Sequence, residues 1–252
     1  MKKIRHVFCS YSFRMRTMVF GDIHGAYRAL EQLLEEVKPT AGDKLVFLGD
    51  YVDGWPQSAQ VIELLLQLSQ QFECVFLMGN HDLWCRDWLN SKQASPAWLQ
   101  NKGDTTIASY GQYNQETLDR HVHFFNQLKD YYVDGSNRLY IHAGFTSMDG
   151  PEHEASHDTC FNDRTLIELV VCMNEDLSSE HPFYPKRLKL FREIYIGHTP
   201  TLRYGITEPL HKANLWDMDT GVSKGGKLSA MDVDSKQIWQ SQRVEELYAS
   251  QS

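Results

Sequence analysis

The stretch TMVFGDIHG, residues 17–25, sets the pattern on which the fold prediction rests. Its short apolar run ends at a glycine and a polar residue, and the pattern recurs in LVFLGD (residues 45–50) and VFLMGN (residues 75–80). Apolar runs this short are typical of buried strands, because helices need more length. Apolar residues at helical spacing lie between these runs, in residues 27–37 and 59–68. This alternation predicts right-handed crossovers and a largely parallel sheet.

The rest of the chain predicts further strands around an irregular segment. A helix-rich stretch covers residues 83–128, and its expected core anchors are Trp84, Trp88, Trp98 and Phe124. Short apolar runs between turns predict strands at residues 131–133, 139–142, 194–196, 215–218, 228–232 and 238–240. Residues 146–185, the most irregular part of the chain, with Gly150-Pro151 and three His, predict a surface cap. We therefore expect an α/β (α+β) fold with a β-sandwich-like core and outer helices, in one domain over residues 15–252.

The composition limits the classes of function. The chain has 252 residues, with 25 Lys+Arg against 33 Asp+Glu, and its formal net charge is −8. This acidity argues against bulk nucleic-acid binding, although one local site can still bind a phosphorylated substrate. The cysteines are widely spaced and include no CxxC pair, which is typical of a reducing cytoplasm. No apolar run has the length of a membrane span, and the N-terminus lacks the apolar core of a signal peptide. We therefore expect a cytoplasmic protein without a membrane partner.

Polar residues follow the predicted strands at their carboxyl ends, where α/β folds bind their ligands. The motifs are GDIHG (21–25), GDYVDG (49–54), GNHD (79–82), IHAG (141–144) and GHT (197–199). Carboxylate, amide and imidazole groups are ligands for divalent metal ions of intermediate softness. One Gly-Asp pair is usually only a turn. Its repetition with histidines at several strand ends predicts a shared metal site.

The ordered set of motifs resembles that of the calcineurin-like metallophosphoesterases. It is most similar to the branch that holds Ser/Thr protein phosphatases and bacterial symmetrical diadenosine-tetraphosphate hydrolases. The resemblance extends from residue 17 to about residue 240. It implies a double β-sandwich core flanked by helices, with a dinuclear metal site at the carboxyl ends of the strands. Two divalent metal ions are implied as cofactors, with Mn²⁺ expected and Fe or Zn as alternatives.

The resemblance also implies a role for each matching residue. The implied metal ligands are Asp22, His24, Asp50, Asn80, His142 and His198, with Asp50 bridging the two ions. His81 would be the general acid, oriented by Asp53, and a passive hydrogen-bond donor to the substrate is the alternative role for His81. In this family chemistry, a hydroxide that bridges the metals attacks phosphorus in line with the leaving oxygen.

The residues after Asp53 depart from the protein phosphatases of this branch. Those proteins read GDxxDRG, with an Arg that grips the phosphate, whereas Gly54 and Trp55 follow Asp53 here. A planar guanidinium is hard to replace with another residue type. The candidates for supplying the charge from elsewhere are Arg86, Lys102, Arg187 and Arg192. The GNHD variant, in place of GNHE, favours the dinucleotide hydrolases and the bacterial branch.

Two further segments resemble parts of the family. NKGDTTIASYG, residues 101–111, is similar to a segment of bacterial members. It suits a loop near the substrate, and a helix cap formed by Asp104 or Thr105 is the alternative. The segment WDMDTG, residues 216–221, is expected to support the site structurally.

The sequence therefore predicts an enzyme, a metal-dependent phosphoesterase. The main prediction is a phosphomonoesterase similar to Ser/Thr protein phosphatases, and the alternative is a symmetrical diadenosine-tetraphosphate hydrolase. A non-catalytic, metal-binding regulatory module is a minor alternative, supported only by the missing Arg. Bacterial relatives begin much as residues 15–25 do, so residues 1–14 are expected to be a disordered extension or the product of an upstream start.

Overall fold

The computed structural model describes residues 15–249, so the predicted extension at residues 1–14 lies outside the described part of the chain. Two five-stranded sheets form the centre of the structure. The first sheet contains β1 (Thr17–Phe20), β2 (Lys44–Phe47), β3 (Glu73–Phe76), β9 (Ser229–Asp232) and β10 (Ile238–Gln240). Its strand order is β10-β9-β1-β2-β3, with β1, β2 and β3 parallel and β9 and β10 antiparallel. The chain thus returns near its end to pair with its first strand, Met18 lying opposite Asp232.

The second sheet contains β4 (Tyr131–Val133), β5 (Arg138–Ile141), β6 (Glu193–Ile196), β7 (Leu210–Lys212) and β8 (Leu215–Asp217). Its order is β4-β5-β6-β8-β7, with parallel central strands and antiparallel strands at both edges. The predicted parallel arrangement is found for β1, β2 and β3, whereas the added antiparallel strands make both sheets mixed. The strand β7 was not expected, since only one of its three residues is buried.

Helices cover the outer faces of the two sheets. In chain order they are α1 (Tyr27–Val37), α2 (Ser58–Ser69), α3 (Asn80–Ser91), α4 (Pro96–Gln100), α5 (Gly103–Tyr110), α6 (Gln115–Asn126), α7 (Thr159–Asn162), α8 (Thr165–Cys172), α9 (Lys186–Lys189) and α10 (Val244–Ala249). Residues of α1 to α6 and α10 pack on the first sheet, and those of α7 to α9 pack on the second. Within residues 15–249, no helix combines the length and the apolar character that crossing a bilayer requires.

The central strands β1, β2, β5 and β6 are buried on both faces, which explains why they read as continuous apolar runs. In β1, Met18 and Phe20 face the helices, whereas Val19 faces the second sheet. In β6, the ring of Tyr195 stacks on that of Tyr140 at 5.0 Å within the layer between the sheets. Each such fully buried apolar side chain contributes roughly 1.5–3 kcal/mol of transfer free energy. This is the predicted sandwich with outer helices, and the fold class is confirmed.

The aromatic anchors and the cap segment differ in detail from expectation. Trp98 and Phe124 are buried in the core as expected, but Trp84 and Trp88 are only partly buried. The segment of residues 146–185 contains α7 and α8, and its Phe161 packs against the second sheet. It therefore forms part of the outer layer of that sheet.

Candidate metal centre and active site

The polar residues at the strand ends meet at one end of the sandwich. The loops after β1, β2 and β3 belong to the first sheet, and those after β5 and β6 belong to the second. Together they present Asp22, His24, Asp50, Asp53, Asn80, His81, His142 and His198. All are buried except His81 and His198, which are partly exposed. The structure thus brings together every residue expected to bind metal or to act as the acid and its partner.

Asp50 lies at the centre of this cluster. Its Oδ2 atom is 3.7 Å from His24 Nε2 and 3.5 Å from His142 Nε2. Its Oδ1 atom accepts a hydrogen bond of 3.0 Å from the backbone N–H of His81. Two groups with metal-binding geometry share this carboxylate, namely His24, Asp50 and His81, and Asp50, His142 and His198. A bridging carboxylate between two cation positions is what the family resemblance implies for Asp50.

Backbone carbonyls fix the tautomers of the two buried histidines. His24 Nδ1 lies 3.2 Å from the carbonyl oxygen of Val52, and His142 Nδ1 lies 2.9 Å from that of Leu48. Because a carbonyl oxygen can only accept, both Nδ1 atoms carry the proton. In the neutral imidazoles, the Nε2 lone pairs therefore face Asp50, as in metal sites whose imidazoles are oriented by their other nitrogen.

Asn80 and His198 complete the half of the site next to His142. The side-chain oxygen of Asn80 lies 3.4 Å from His142 Nε2 and 3.0 Å from His198 Nδ1. An amide oxygen adds a ligand without adding negative charge. This limits the repulsion of an anionic substrate.

Asp22 gives the clearest test of whether a cation fits. Its Oδ2 atom accepts from the backbone N–H of His198 at 3.0 Å, but its buried Oδ1 atom has no hydrogen-bond partner among the described residues. Burial, together with the neighbouring carboxylates of Asp219 and Asp50, raises the pKa of Asp22 well above its ordinary value. An unpartnered buried oxygen is costly unless something pairs with it. The donor set of carboxylates, imidazoles and one amide fits a divalent metal ion.

Several site residues have left-handed backbone conformations. They are His24 (φ 49°), Asp50 (φ 52°), Asp53 (φ 69°) and His198 (φ 67°). Asp and His are among the few residue types that tolerate this region, and such outliers cluster at functional sites. The turns after the strands thus aim successive side chains into the same space.

Two glycines allow the carboxylates to approach the backbone closely. A Cβ atom on Gly79 would lie 2.1 Å from Asp50 Oδ1, and a Cβ atom on Gly197 would lie 2.1 Å from Asp22 Oδ1. No side chain fits at these distances. This gives a physical reason for the Gly that begins the GNHD and GHT motifs.

His81 and Asp53 form a hydrogen-bonded pair beside the cluster. His81 Nδ1 lies 2.7 Å from Asp53 Oδ2. Burial alone would lower the pKa of His81, but the carboxylates of Asp50 and Asp53 outweigh it and raise the pKa to about 9. Asp53 also accepts from Trp98 Nε1 at 2.6 Å and from Thr106 Oγ1 at 2.6 Å. The pair can therefore hold and deliver a proton from a fixed position.

Asp82 ties two of the strand-end loops together. Its carboxylate accepts from the backbone N–H groups of Asp50 (2.7 Å), Tyr51 (2.9 Å) and Gly79 (2.9 Å). Sequence reasoning did not assign it this role. The available signal was its place in the first turn of α3, where a carboxylate can accept from free backbone N–H groups.

The segment of residues 101–111 forms a helix that supports the GDYVDG loop. Most of it is α5, and Thr105 Oγ1 accepts from the backbone N–H of Gly54 at 3.0 Å. No side chain caps this helix, so the cap expected from Asp104 or Thr105 is absent. Asn101 and Lys102, which precede the helix, line the active-site cavity. The segment is therefore near the expected substrate position, but mainly as a helix rather than a loop.

An open cavity of about 590 Å³, here called the central cavity, lies over the cluster. Of the cations considered from the sequence, Lys102 lines it, while Arg86, Arg187 and Arg192 do not. Arg187 is buried, and its guanidinium donates to the backbone carbonyl of Phe145. The expectation that Arg86 and Arg187 contact substrate is therefore corrected, because neither faces the cavity.

Arg164 lines the central cavity and was missed by sequence reasoning. Its Nε atom lies 3.2 Å from His198 Nε2, next to the cluster. Arg164 stands in the irregular segment of residues 146–185, outside any motif, so only the fold reveals its position.

Asp219 also lines this cavity. Its Oδ2 atom is buried without a hydrogen-bond partner among residues 15–249, and burial raises its pKa to about 6. Its segment was expected only to support the site. Asp219 instead adds negative charge beside Asp22 in the wall of the cavity.

Comparison with known proteins agrees with this geometry. Residues 15–218 match the calcineurin-like phosphoesterase family, and the chain belongs to that family. It is thus a hydrolase of the metallophosphoesterase class, whose members use divalent metals.

Its relatives include bis(5'-nucleosyl)-tetraphosphatases. An asymmetrical enzyme of Anoxybacillus flavithermus is 28% identical over 236 residues, covering 84% of this chain and 88% of the relative. A symmetrical enzyme of Xylella fastidiosa is 24% identical over 272 residues, covering 89% and 90%. The structure of a putative diadenosine tetraphosphatase superposes with a TM-score of 0.62 and 21% identity, covering 91% of this chain and 94% of that one.

Proposed function

We propose that this protein hydrolyses dinucleoside polyphosphates such as diadenosine tetraphosphate, with Mn²⁺ as the expected metal. The observation that carries the reaction class is the Asp50 carboxylate, which two groups of potential metal ligands share. The names of the bis(5'-nucleosyl)-tetraphosphatase relatives, aligned along most of both chains, support the substrate class. This favours the alternative over the main prediction of a protein phosphatase.

The metal ligands we propose are Asp22, His24, Asp50, Asn80, His142 and His198. Divalent ions bound there would polarise the phosphoryl group and lower the pKa of water toward neutrality. The unpartnered Oδ1 atom of Asp22 and the inward Nε2 atoms of His24 and His142 support this assignment.

We propose His81 as the general acid and Asp53 as its positioning partner. The proton on His81 Nδ1 is held by Asp53, which leaves the Nε2 proton available to the substrate. In the metal-free protein, the carboxylates of Asp50 and Asp53 raise the pKa of His81 to about 9, which favours the protonated imidazole. As the bond from phosphorus to the leaving oxygen breaks, that oxygen takes the Nε2 proton and leaves as a neutral hydroxyl or a less charged phosphate.

We assign the charge that the missing Arg would supply to Arg164, with Lys102 as a second contact. Arg164 stands in the cavity wall beside His198, and its guanidinium can donate to two phosphate oxygens. Lys102 lines the same cavity and precedes α5, where its ammonium donates to the carbonyl of Ser223.

A substrate panel tests the proposal. The Mn²⁺-supplemented protein is assayed with diadenosine tetraphosphate, a phosphothreonine peptide and p-nitrophenyl phosphate. We expect the highest kcat/KM with diadenosine tetraphosphate, and a loss of more than about 100-fold in Asp50→Asn or after chelation, since the shared ligand is removed. Asp87→Asn, an exposed change on α3, is the matched control.

Each other outcome has a definite meaning. A higher kcat/KM with the phosphopeptide would return the function to a protein phosphatase. Full activity after chelation would overturn the metal-dependent mechanism. Stoichiometric metal binding without turnover of any substrate would favour the non-catalytic module.

A further inference from the structure

A second cavity, here called the side cavity, adjoins the central cavity. Its volume is about 470 Å³, and it shares Arg164, Pro200 and Lys224 with the central cavity. Leu202 and Arg203 complete its lining. Both volumes fall within the range of about 300–1,000 Å³ that small-molecule sites occupy. A ligand that enters the central cavity can therefore continue past Arg164 into the side cavity.

The side cavity is built on two turns that pack tightly against each other. They are the 3-10 turns Thr201–Tyr204 and Val222–Lys224. A Cβ atom on Gly221 would lie 2.2 Å from a methyl group of Leu202, so this glycine is what allows the close contact. The backbone N–H of Thr201 also donates to the carbonyl of Asp219 at 2.8 Å. The cavity walls are thus held in place before any ligand arrives.

Unpaired cations line the route between the two cavities. Among residues 15–249, Lys102, Arg164, Arg203 and Lys224 form no ion pair with a carboxylate. The ammonium of Lys102 donates instead to the backbone carbonyl of Ser223, next to Lys224, at 3.1 Å. The lining of the side cavity holds Arg164, Arg203 and Lys224 and no carboxylate, so in a chain of net charge −8 this cavity is locally positive and favours an anion.

The groups bonded to the reacting phosphorus determine which class of anionic substrate needs a second cavity. In a phosphomonoester, this phosphorus carries only terminal oxygens besides the leaving group. Within a polyphosphate chain, the reacting phosphorus also carries the half of the substrate that stays bonded to it, here called the retained half. The retained half must extend from the metal centre in a different direction from the leaving group. His81, the proposed acid, stands at the leaving group and contacts the ring of Trp84, with ring centroids 5.1 Å apart. The side cavity is reached instead at Arg164, beside His198.

We propose that the side cavity binds the retained half of a dinucleoside polyphosphate, with Arg203 and Lys224 contacting its phosphates. The apolar walls, Leu202 and Pro200, then lie next to its nucleoside. In the reaction, water adds to phosphorus as hydroxide and gives one proton to solvent, the bond from phosphorus to the leaving oxygen breaks, and the leaving half takes the proton of His81, which solvent then restores. The retained half stays in the side cavity until product release. This assignment rests on the dinucleoside polyphosphate hydrolysis proposed above.

The test compares substrates with and without a retained half. The Mn²⁺-loaded double variant Arg203→Gln/Lys224→Gln and the unmodified protein are assayed with diadenosine tetraphosphate and p-nitrophenyl phosphate. We expect the ratio of the two kcat/KM values to fall at least about tenfold in the variant, because charge-assisted phosphate contacts are lost. Lys189→Gln, an exposed change that lines neither cavity, should leave the ratio unchanged. Circular dichroism and thermal unfolding establish that each variant is folded.

A separate binding measurement keeps this inference distinct from the proposed function. Calorimetry with inorganic tripolyphosphate should show at least about tenfold weaker binding to the double variant than to the unmodified protein. An unchanged substrate ratio in a protein that cleaves diadenosine tetraphosphate would overturn the role of the side cavity. If the unmodified protein does not cleave diadenosine tetraphosphate, the proposed function fails. In that case, tripolyphosphate binding alone tests the side-cavity site. Equal affinity of the unmodified protein and the double variant for tripolyphosphate would overturn that site as well.

Discussion

The carboxylate of Asp53 receives hydrogen bonds from side chains on three different helices. His81 stands on α3, Trp98 on α4 and Thr106 on α5, and their donor atoms lie 2.6–2.7 Å from the carboxylate oxygens. A carboxylate that accepts hydrogen bonds on both oxygens keeps one orientation. Through its hydrogen bond to His81, it also fixes the orientation of that imidazole. We therefore regard Trp98 and Thr106 as positioning residues for the proton donor, acting through Asp53.

Replacing Trp98 with Phe tests this positioning role. The variant Trp98→Phe keeps most of the apolar packing and removes the indole N–H that donates to Asp53. With phenyl phosphate, whose leaving oxygen needs a proton, we expect kcat to fall about tenfold, a part of the full contribution of a general acid. With 2,4-dinitrophenyl phosphate, whose leaving group needs no proton, kcat should change less than about twofold.

The neighbouring Trp88 provides the control for this experiment. Its ring packs against that of Trp98 with centroids 5.5 Å apart. Trp88→Phe should therefore alter packing without altering the dependence on the leaving group. Equal losses on both substrates in Trp98→Phe would show that the indole only fills space.

At the scale of elements, the first turn of α3 joins the loops after β2 and β3. Asp82 at this turn accepts three backbone N–H groups, and its side chain is fully buried. These bonds fix the loop that carries Asp50 relative to the loop that carries Asn80. The spacing of the ligands therefore depends on a residue that need not touch metal or substrate.

The variant Asp82→Asn should destabilise the protein by about 2–3 kcal/mol. The amide has one acceptor oxygen instead of two, and its NH₂ group would face a backbone donor, so at least one buried N–H loses its partner. Urea unfolding of the metal-free protein measures the loss, with Asp87→Asn on the exposed face of α3 as the control. Equal unfolding free energies of the two variants would contradict the role given to Asp82.

The bounds of the helices and strands show how much of the fold can be predicted from the sequence. The helix α1 and the strands β1, β4 and β10 have the expected bounds, because their apolar residues follow helical spacing or form short runs between turns. The strand β7 was missed because its exposed His211 and short length give no apolar run. Its register is set by pairing with β8, which is a tertiary contact.

The residues of the site also divide into those that the sequence predicts and those that only the folded structure reveals. The cluster of aspartates and histidines was expected because each strand-end loop carries its own motif. Arg164 and Arg203 stand outside those motifs, and folding alone brings them to the cavities. The role of Asp82 was hidden for another reason, since its partners are backbone N–H groups that every residue type except proline carries.

At the scale of the whole molecule, the buried charges of the site affect folding stability. Burial raises the pKa values of Asp22 and Asp217 well above their ordinary values, and the carboxylates around His81 raise its pKa to about 9. Between pH 6.5 and 8.5, His81 therefore holds more protons in the folded than in the unfolded chain, and the raised pKa values of Asp22 and Asp217 act in the same direction. His24 and His198, with pKa values lowered by burial to about 4 and about 3, are neutral in both states over most of this range.

The metal-free protein should therefore lose stability as the pH rises through this range. His81 contributes a slope of roughly 1 kcal/mol per pH unit, because its imidazole binds fewer protons in the unfolded chain. Thermal unfolding in chelator at pH 6.5 and pH 8.5 measures the effect as a lower midpoint at the higher pH. Added Mn²⁺ should reduce the slope, since a bound cation stabilises the ionised form of Asp22. A midpoint that rises with pH in chelator would contradict this account.

The pairing of β1 with β9 has a consequence for the synthesis of the chain. Residues 17–20 leave the ribosome more than two hundred residues before residues 229–232 do. At a translation rate of about 5–20 residues per second, one edge of β1 waits roughly 10–40 s for its partner. During that time, a strand whose residues Met18, Val19 and Phe20 are buried in the finished fold has open backbone N–H and C=O groups, to which another nascent chain can pair. The strand β1 is thus made long before its partner β9, and a chaperone that binds its open edge would protect the growing chain.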